Sequence, residues 1–405
     1  MRLAARARRI APSATMAAAA RAKELQGQGV DIVLFDAGEP DFPTPSNVKD
    51  VGIAAIEHNV TKYSPVGGTL ALRKAIATRL LEDENLDYAP EQILVGNGAK
   101  EVCYNVCQVL LESGDEALIP APYWVSYAEE VRLADGAPII VETDEGTGFK
   151  LTPALLEAAI TPRTRLLFLN SPCNPTGTVY SEDEIKALGA VLAAHPGIVL
   201  LTDEIYKKVY YDSEGAAPSA AAVLRHLADQ VILVDGASKA YAMTGWRVGF
   251  AAGPRDAIKA MRDLQSHSTS GTSSISQSAA VEAFGGDQTA VTKMRDEFRQ
   301  RRDAIVVALN ALSGVSCPTP SGAFYAYPNV KGALGRTYGD RRVETSLDLA
   351  AYLLDEAHVS VVPGEAFGTP GYLRLSYATS LPLIEEGMRR IAAALTREAP
   401  VGAAS

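Results

Sequence analysis

The sequence predicts an α/β protein with a largely parallel central sheet, joined to a second, smaller α+β domain. The chain has 405 residues, more than one ordinary domain holds, and 47% of them are hydrophobic, which is enough for a large buried core. Short apolar runs alternate with helical patterns through the middle of the chain, as in βαβ units. A separate group of strand patterns follows a long polar helix pattern near residue 300, and this predicts the second domain.

The strands of the central sheet are predicted from short, buried-looking apolar runs. These runs are 93–95, 117–119, 166–169, 198–201 and 231–234, with 248–252 as a sixth candidate. A polar cluster follows each of the first five: GNGAKE, PAPYWVSY, NSPCNPTG, TDEIY and DGASKAYAMTGWR. Ligands bind beyond the carboxyl ends of strands in open α/β sheets. We therefore expect these five loops to converge on one crevice.

The second domain is predicted from the pattern that follows the helix expected over Gln288–Leu312. Strand-like segments SGAFYAYP, VSVVPG and YLRLSYA come after it. The first 40 or so residues are expected to contribute to the same domain. The predicted division is therefore 1–45 for an amino-terminal arm with part of the small domain, 46–290 for the large cofactor-binding domain, and 291–400 for the rest of the small domain.

Composition limits the partners of the chain. A formal net charge of −10 and a pI near 5.2 argue against nucleic acid, because binding a polyanion needs a concentrated excess of Lys and Arg. No apolar run reaches the roughly 18 residues that span a membrane. The expected partners are small molecules.

The four cysteines form no CxxC pair, so we assign no metal. Cys103 and Cys107 are expected on one helix face as an apolar buried pair rather than half of a metal site. Four cysteines without close pairs fit a protein whose thiols stay reduced in the cytoplasm. The Arg-rich start MRLAARARRI leaves an organellar transit peptide as an alternative.

The loop GNGAKE follows a predicted strand and opens a helix, whose first amides have no partner within the helix. An anion such as a phosphate can bind there. The segment is not a dinucleotide fingerprint, since Glu101 stands at the third glycine position, and no Walker-type motif occurs. A plain strand-to-helix turn remains the alternative.

The loop after residue 234 carries Lys239, with Ser238 just before it and Arg247 eight residues later. A lysine nucleophile is useful when it forms a Schiff base, and a neighbouring Arg and Ser can bind a dianionic phosphate. A solvated loop lysine is the alternative on this segment alone.

Three further loops supply groups that suit an aromatic cofactor. Asp203 at the end of its strand can pair with a pyridinium nitrogen and keep it protonated. Tyr206 and Asn174 can hydrogen-bond a phenolic oxygen, and Trp124 offers a flat surface for stacking. Each residue has a structural alternative, as a helix cap, a turn residue or a core aromatic. Together these alternatives become improbable.

Nearly the whole chain resembles the fold type I pyridoxal-phosphate enzymes, specifically the class I aminotransferases. The resemblance rests on AGEPDF, KYSPVGG, PYW, NPTG, DEIY, SKxxxMTGWRxG and RLSYA in this order. It implies a mainly parallel, seven-stranded type of sheet flanked by helices, and pyridoxal 5'-phosphate as the cofactor. It also implies a homodimer with shared active sites.

The resemblance also implies residue roles. Lys239 is expected to carry the cofactor as an imine and to shuttle a proton, and Asp203 to hold the pyridine nitrogen. Tyr206 and Asn174 are expected at the phenolic oxygen, and Trp124 on the ring. The remaining cofactor contacts are expected to surround the phosphate: Gly98, Ala99, Lys100, Ser238 and Arg247, with Tyr63 reaching the phosphate of the neighbouring subunit.

The substrate α-carboxylate is expected at Arg374, with Gly38, Trp124 and Asn174 beside it. Arg374 is a lone cation between apolar residues of a strand pattern and therefore needs an anionic partner. A structural salt bridge is the alternative. Gly38 is expected to let the backbone approach the same carboxylate. The chain departs from some relatives at Gly236, where a hydroxyl residue often touches the phosphate, so one phosphate contact is expected to be missing.

The leading substrate pair is L-aspartate with 2-oxoglutarate, and prephenate is a possible further acceptor. Ser13, Thr15 and Lys100 resemble residues that recognise the distal carboxylate in a subgroup of bacterial aspartate aminotransferases. A cationic Lys100 also favours an acidic substrate on Coulomb grounds, although a solvated first-turn lysine is the alternative. An aminotransferase for aromatic or small neutral amino acids, a carbon–sulfur lyase of the same fold, and a cofactor-binding transcription regulator are the other hypotheses.

Overall fold

The structure is a computed structural model that describes residues 1–10 and 14–396, without the side chains of residues 5–6 and 14–19. Its helices are α1 (Ala5–Arg9), α2 (Ala14–Gly27), α3 (Ser46–Glu57), α4 (Leu70–Glu84), α5 (Ala99–Leu110), α6 (Ser126–Leu133), α7 (Pro153–Ala159), α8 (Glu182–Ala194), α9 (Ala220–Val223), α10 (Arg255–Ser266), α11 (Ser274–Gly285), α12 (Thr289–Asn310), α13 (Ser346–Glu356) and α14 (Leu381–Leu395). Its strands are β1 (Val33–Leu34), β2 (Ile93–Gly96), β3 (Glu116–Ala121), β4 (Ala137–Glu142), β5 (Thr164–Asn170), β6 (Val199–Asp203), β7 (Val231–Gly236), β8 (Gly249–Ala252), β9 (Tyr325–Ala326), β10 (Arg336–Tyr338), β11 (Arg341–Val343), β12 (Val359–Ser360), β13 (Val362–Pro363) and β14 (Leu373–Ser376).

The centre of the molecule is a seven-stranded sheet in the order β2-β8-β7-β6-β5-β3-β4. All neighbouring pairs are parallel except the two that involve β8, which runs antiparallel to β2 and β7. All six predicted runs are strands of this sheet, and the predicted α/β class is confirmed. Strand β4 was not predicted, although residues 139–141 form an apolar run; it is an edge strand paired with β3 and is largely half-exposed.

The sheet is buried on both faces by two apolar clusters. Successive residues of one strand point to opposite faces, so Leu200 joins one cluster while Leu201 joins the other. This double burial explains why the strands read as continuous apolar runs rather than as alternating ones. Cys103 and Cys107 of α5 lie in the second cluster as the expected buried pair.

A smaller sheet region follows α12, the helix that was predicted over Gln288–Leu312. Strands β13, β14 and β9 form an antiparallel sheet, β10 pairs with β11, and β1 from the amino-terminal segment pairs in parallel with β12. A third apolar cluster combines residues of β1 with α12, α13 and α14. Residues of the amino-terminal segment thus pack in this region, while the predicted domain division at 45/46 and 290/291 stays a prediction.

Among the helices of residues 1–10 and 14–396, none combines the length and apolar character needed to cross a bilayer.

Candidate active site

The five predicted loops converge on one cavity of about 490 Å³ beyond the carboxyl ends of the parallel strands. Each loop contributes at least two of its lining residues, and the segment after β1 and strand β14 supply others. Residues predicted from the sequence that line the cavity are Gly38, Ala99, Lys100, Trp124, Asn174, Asp203, Tyr206, Ser238, Lys239, Arg247 and Arg374. The expected convergence is therefore confirmed.

Gly98 and Tyr63 do not line the cavity. Gly98 directly precedes α5 with a φ of +89°, and a Cβ there would lie 2.4 Å from Arg247 Nη2. Its lack of a side chain lets the Arg247 guanidinium pack against the start of α5. Tyr63 is fully exposed in the single chain. Its expected contact with a neighbouring subunit stays a prediction.

Ser13 lies outside the described residues, and so does the side chain of Thr15, whose backbone belongs to α2. Their expected contact with a distal carboxylate stays a prediction.

Lys239 lies in the turn that follows β7, where the Met243 amide donates to the Ser238 carbonyl at 3.1 Å. Its Nζ donates a hydrogen bond of 2.5 Å to the carbonyl oxygen of Gly38. Burial lowers the pKa of Lys239 to about 8; Glu39 opposes this shift, and Arg374 and Arg247 add to it. A lysine with this pKa supplies far more free amine near neutral pH than an ordinary lysine.

Asp203 ends β6 with its carboxylate turned into the cavity. The Tyr127 hydroxyl donates to Asp203 Oδ2 at 2.6 Å, and the Ile205 amide donates to Oδ1 at 3.2 Å. Burial raises the pKa of Asp203 to about 6, although the hydrogen bond from Tyr127 lowers it. At neutral pH the carboxylate is therefore largely ionised and in place to accept a charged N–H donor.

Arg374 is 3% exposed and lies on β14, opposite Val362 of β13. Its Nη1 donates to Asn174 Oδ1 at 3.1 Å and its Nη2 to the Asp36 carbonyl at 2.9 Å, while the buried Nε has no hydrogen-bond partner. Both partners are neutral oxygens, so the structure gives no support to the alternative of a salt bridge. A buried guanidinium held this way suits a carboxylate ligand.

The Arg247 side chain lies near the amino terminus of α5. Its guanidinium donates to the carbonyl oxygens of Thr244 and Asn97 at 3.0 and 3.1 Å, beside Ser238 and Ala99. These groups, together with the first amides of α5, can hold a dianion. At Gly236, a Cβ would lie 2.7 Å from the Val248 carbonyl oxygen, so the close pairing of β7 with β8 explains the missing hydroxyl residue.

Lys100 and Trp124 lie at the mouth of the cavity. The Lys100 ammonium is 4.9 Å from the centre of the Trp124 ring, and that ring packs edge-on against Tyr127 at 5.2 Å. Beneath them, burial raises the pKa of Glu130 well above its usual range, with Lys100 acting in the opposite direction. The Lys100 side chain itself is exposed at this end of the cavity.

Among the cavity residues that the sequence did not predict, three make side-chain hydrogen bonds to predicted site residues. Tyr127 holds Asp203, Asn170 accepts from the Asn174 amide at 2.8 Å, and the Tyr325 hydroxyl lies 2.8 Å from that of Tyr206. Tyr127 and Asn170 lie within the predicted loops, so both could have been predicted as cavity residues from their sequence position. Tyr325 reaches the cavity only because β9 pairs with β14, a long-range contact that the sequence pattern does not reveal.

A family model described as "Aminotransferase class I and II" matches residues 30–391. An aspartate aminotransferase of Geobacillus stearothermophilus is 47% identical over 391 residues, which cover 96% of this chain and 98% of that protein. An aspartate/prephenate aminotransferase of Nitrosomonas europaea is 43% identical over 398 residues, covering 98% of this chain and 100% of that protein.

Solved structures with the same fold include two aspartate aminotransferases. The structure from Rhizobium meliloti has a TM-score of 0.95 at 43% identity and covers 98% of this chain and 100% of that one. The structure from Thermus thermophilus with maleate has a TM-score of 0.90 at 39% identity and covers 97% of this chain and 100% of that one.

Proposed function

The chain belongs to the class I and II aminotransferases, and on this premise we propose that it transfers the amino group of L-aspartate to 2-oxoglutarate with pyridoxal 5'-phosphate as cofactor. The products are oxaloacetate and L-glutamate. The observation that carries the proposal is the joint position of Lys239, Asp203 and Arg374 in one cavity: an amine with a lowered pKa, a buried carboxylate and a guanidinium held by neutral oxygens.

The residues of the cavity fit this cofactor. Bound pyridoxal phosphate supplies an aldehyde for a lysine amine and a protonated ring that withdraws electrons from the substrate α-carbon. Lys239 provides the amine, and Asp203 is suited to accept the ring N–H. Arg247 and the amides at the start of α5 suit the phosphate. Trp124 offers the flat surface for the ring.

The reaction then depends on proton placement by the protein. Lys239 Nζ, once deprotonated, accepts the α-proton of the bound amino acid and later delivers it. Tyr206 would contribute a hydrogen bond from its hydroxyl to the phenolic oxygen of the cofactor. Asn174 contributes its amide N–H groups, because its Oδ1 already accepts from Arg374. Arg374 holds the α-carboxylate and thereby orients the bond that breaks.

Preference for aspartate is proposed from Lys100, the cation at the mouth of the cavity. An acidic side chain gains Coulomb attraction there that a neutral one lacks. The relatives named above support this choice, since they are called aspartate or aspartate/prephenate aminotransferases, and maleate, present with the Thermus protein, is itself a dicarboxylate. Ser13 and Thr15 are proposed to assist Lys100, and prephenate is proposed as a further acceptor.

We also propose a homodimer in which Tyr63 reaches the partner's cofactor phosphate. Four large apolar side chains between residues 53 and 63 are exposed in the single chain: Ile53, Ile56, Val60 and Tyr63. Such a patch favours burial against a second subunit. A second cavity of about 750 Å³ shares Lys100 and Arg247 with the first and offers room for partner residues beside the phosphate site.

The remaining proposals concern organisation and location. The large domain is proposed to span 46–290, with 1–45 and 291–400 forming the small domain. A cytoplasmic location fits Cys103, Cys107, Cys173 and Cys317, which are all free thiols.

The reaction is tested by measuring oxaloacetate formation from L-aspartate and 2-oxoglutarate by the loaded enzyme. Alanine, phenylalanine and cystathionine are compared as donors under the same conditions. We expect the highest kcat/KM for aspartate. Equal turnover of alanine or phenylalanine contradicts the aspartate preference, and pyruvate release from cystathionine without an oxo acid supports a lyase instead.

The shared site is tested with hybrid dimers of one Tyr63→Ala subunit and one Lys239→Ala subunit. A homodimer of either variant lacks one required group in both of its active sites. In the hybrid, one site combines an intact Lys239 with the Tyr63 of the other subunit, so activity is restored to about half of wild type. A hybrid no more active than the two parents contradicts the sharing of Tyr63.

A further inference from the structure

A buried charged cluster lies at the carboxyl ends of β6 and β7, outside the lining of the cavity. It consists of Lys207 with Glu84, Glu204 and Asp235, and we call it the Lys207 cluster. Lys207 Nζ contacts a carboxylate oxygen of Glu84, lies 3.1 Å from Asp235 Oδ2 and 4.0 Å from Glu204 Oε2. The Lys207 side chain is 4% exposed. A charge this deeply buried is stable only when it is paired.

The cluster joins the segments that carry the cavity residues. Glu204 and Lys207 each directly follow a cavity residue, Asp203 and Tyr206, in the loop after β6. Asp235 belongs to β7, four residues before Lys239. Glu84 is the last residue of α4. One ammonium therefore ties both strand ends to the same helix.

Glu204 is fixed by further contacts. Its Oε1 accepts hydrogen bonds from the Thr202 and Ser219 hydroxyls, both at 3.0 Å, and from the Ala220 amide at 2.9 Å. The loop is therefore anchored at a point between Asp203 and Tyr206. Lys207 adds the contact that connects this loop to β7 and α4.

The cluster contains more acid than base. Burial raises the pKa of Glu204 to about 8, although the neighbouring Lys207 lowers it. Burial lowers the pKa of Lys207, but Glu84, Asp235 and Glu204 together raise it well above its usual value. Asp235 in turn raises the pKa of Asp203, so the charges of the cluster influence a cavity residue. The other charged or titratable groups around it are Arg79, Asp83, Tyr88, Lys208 and Tyr241.

We propose that Lys207 is a positioning residue for the reaction: it fixes Asp203 and Tyr206 relative to Lys239 and neutralises the carboxylates behind Asp203. Lys207 does not line the cavity, so it acts through these neighbours. The inference rests on the proposed function, because it concerns residues assigned there to the cofactor.

The test compares Lys207→Met, Lys207→Arg and the neighbouring control Lys208→Met, whose lysine pairs with Asp83 at the edge of the cluster. Pyridoxal phosphate is titrated into each cofactor-free protein, and kcat and KM for aspartate are then measured. We expect Lys207→Met to lose about tenfold or more in cofactor affinity and in kcat. We expect KM to change by less than about twofold, because Arg374 lies on β14. Lys207→Arg and Lys208→Met should stay near wild type.

Unfolding of the cofactor-free proteins separates positioning from a purely structural role. A purely structural role lowers the free energy of unfolding of Lys207→Met but leaves the folded protein with wild-type cofactor affinity and kcat, and this result overturns the inference. Failure of the proposed function appears instead in the wild type, which then binds no cofactor.

Asp235→Asn keeps the test decisive if Lys207→Met does not fold. It removes one of three carboxylates but keeps the side-chain size and an amide oxygen that can still accept from Lys207, so the contact between Lys207 and β7 is retained. We expect its cofactor affinity to equal or exceed that of the wild type, since Asp203 loses an unfavourable neighbour. The double change Lys207→Met with Asp235→Asn should recover part of the loss. A tenfold lower affinity for Asp235→Asn alone overturns the inference.

Discussion

The cavity and the Lys207 cluster are built on the same two strand ends, but their cations have different kinds of partner. In the cavity, Lys239, Arg247 and Arg374 donate to neutral amide or carbonyl oxygens. In the cluster, Lys207 contacts carboxylates. Arg374 is the buried one of these three. A buried cation without a counter-charge is costly and suits a ligand that brings one, whereas a paired cation stabilises the structure. The cations that lack a carboxylate partner therefore lie in the cavity where the reaction is proposed to occur.

The largest effect is expected from removal of the cavity amine in Lys239→Ala. Loss of the residue that moves the α-proton should lower kcat by about 10⁴-fold or more. The matched control is Lys259→Ala, which removes an exposed lysine paired with Asp263 and should keep wild-type rates. The measurement is steady-state transamination with aspartate. Retention of more than about 1% of kcat contradicts the role assigned to Lys239.

Arg374→Lys tests whether the uncompensated guanidinium binds the α-carboxylate. The substitution keeps the charge but loses the two-pronged fork, so kcat/KM should fall by about 10²-fold for aspartate and for 2-oxoglutarate alike. Arg390→Lys, where a half-buried arginine pairs with the exposed Asp31, is the control. An effect on only one of the two substrates is inconsistent with a shared α-carboxylate site.

Lys100→Met tests whether the cation at the mouth of the cavity selects an acidic substrate. We expect kcat/KM for aspartate to fall by about tenfold, because one charge-assisted contact is lost, while that for alanine stays within about twofold. Comparing both donors in the same preparation removes any general loss of active protein. Equal losses for aspartate and alanine refute Lys100 as the selective residue.

The smallest effect is a shift in pH dependence. The Lys239 pKa of about 8 lies below the ordinary lysine value, and only the deprotonated amine reacts with an aldehyde. The rate at which the cofactor-free protein captures pyridoxal phosphate should therefore rise with pH through a midpoint near 8. A midpoint near 10.5, the ordinary value, contradicts the burial of this amine in the reacting protein.

The sequence predicted the central sheet and its loops because buried parallel strands are read as continuous apolar runs, and polar residues after each run stand out. It did not predict the role of Lys207. Along the chain, Glu204 and Lys207 look like any charged neighbours of Asp203 and Tyr206. Only the pairing of β6 with β7 and the approach of α4 bring three carboxylates to Lys207. Tyr325 was missed for the same reason, since its place depends on the pairing of β9 with β14.

The central claim is that Lys239 holds the cofactor and that an aspartate amino group passes through this site. Its most direct test is the visible absorption of the loaded enzyme while L-aspartate and then 2-oxoglutarate are added. We predict that the band of the lysine-bound cofactor disappears with aspartate and returns with 2-oxoglutarate. A spectrum unchanged by aspartate but altered by another amino acid contradicts the substrate, and a persistent lysine-bound band in Lys239→Ala contradicts the site.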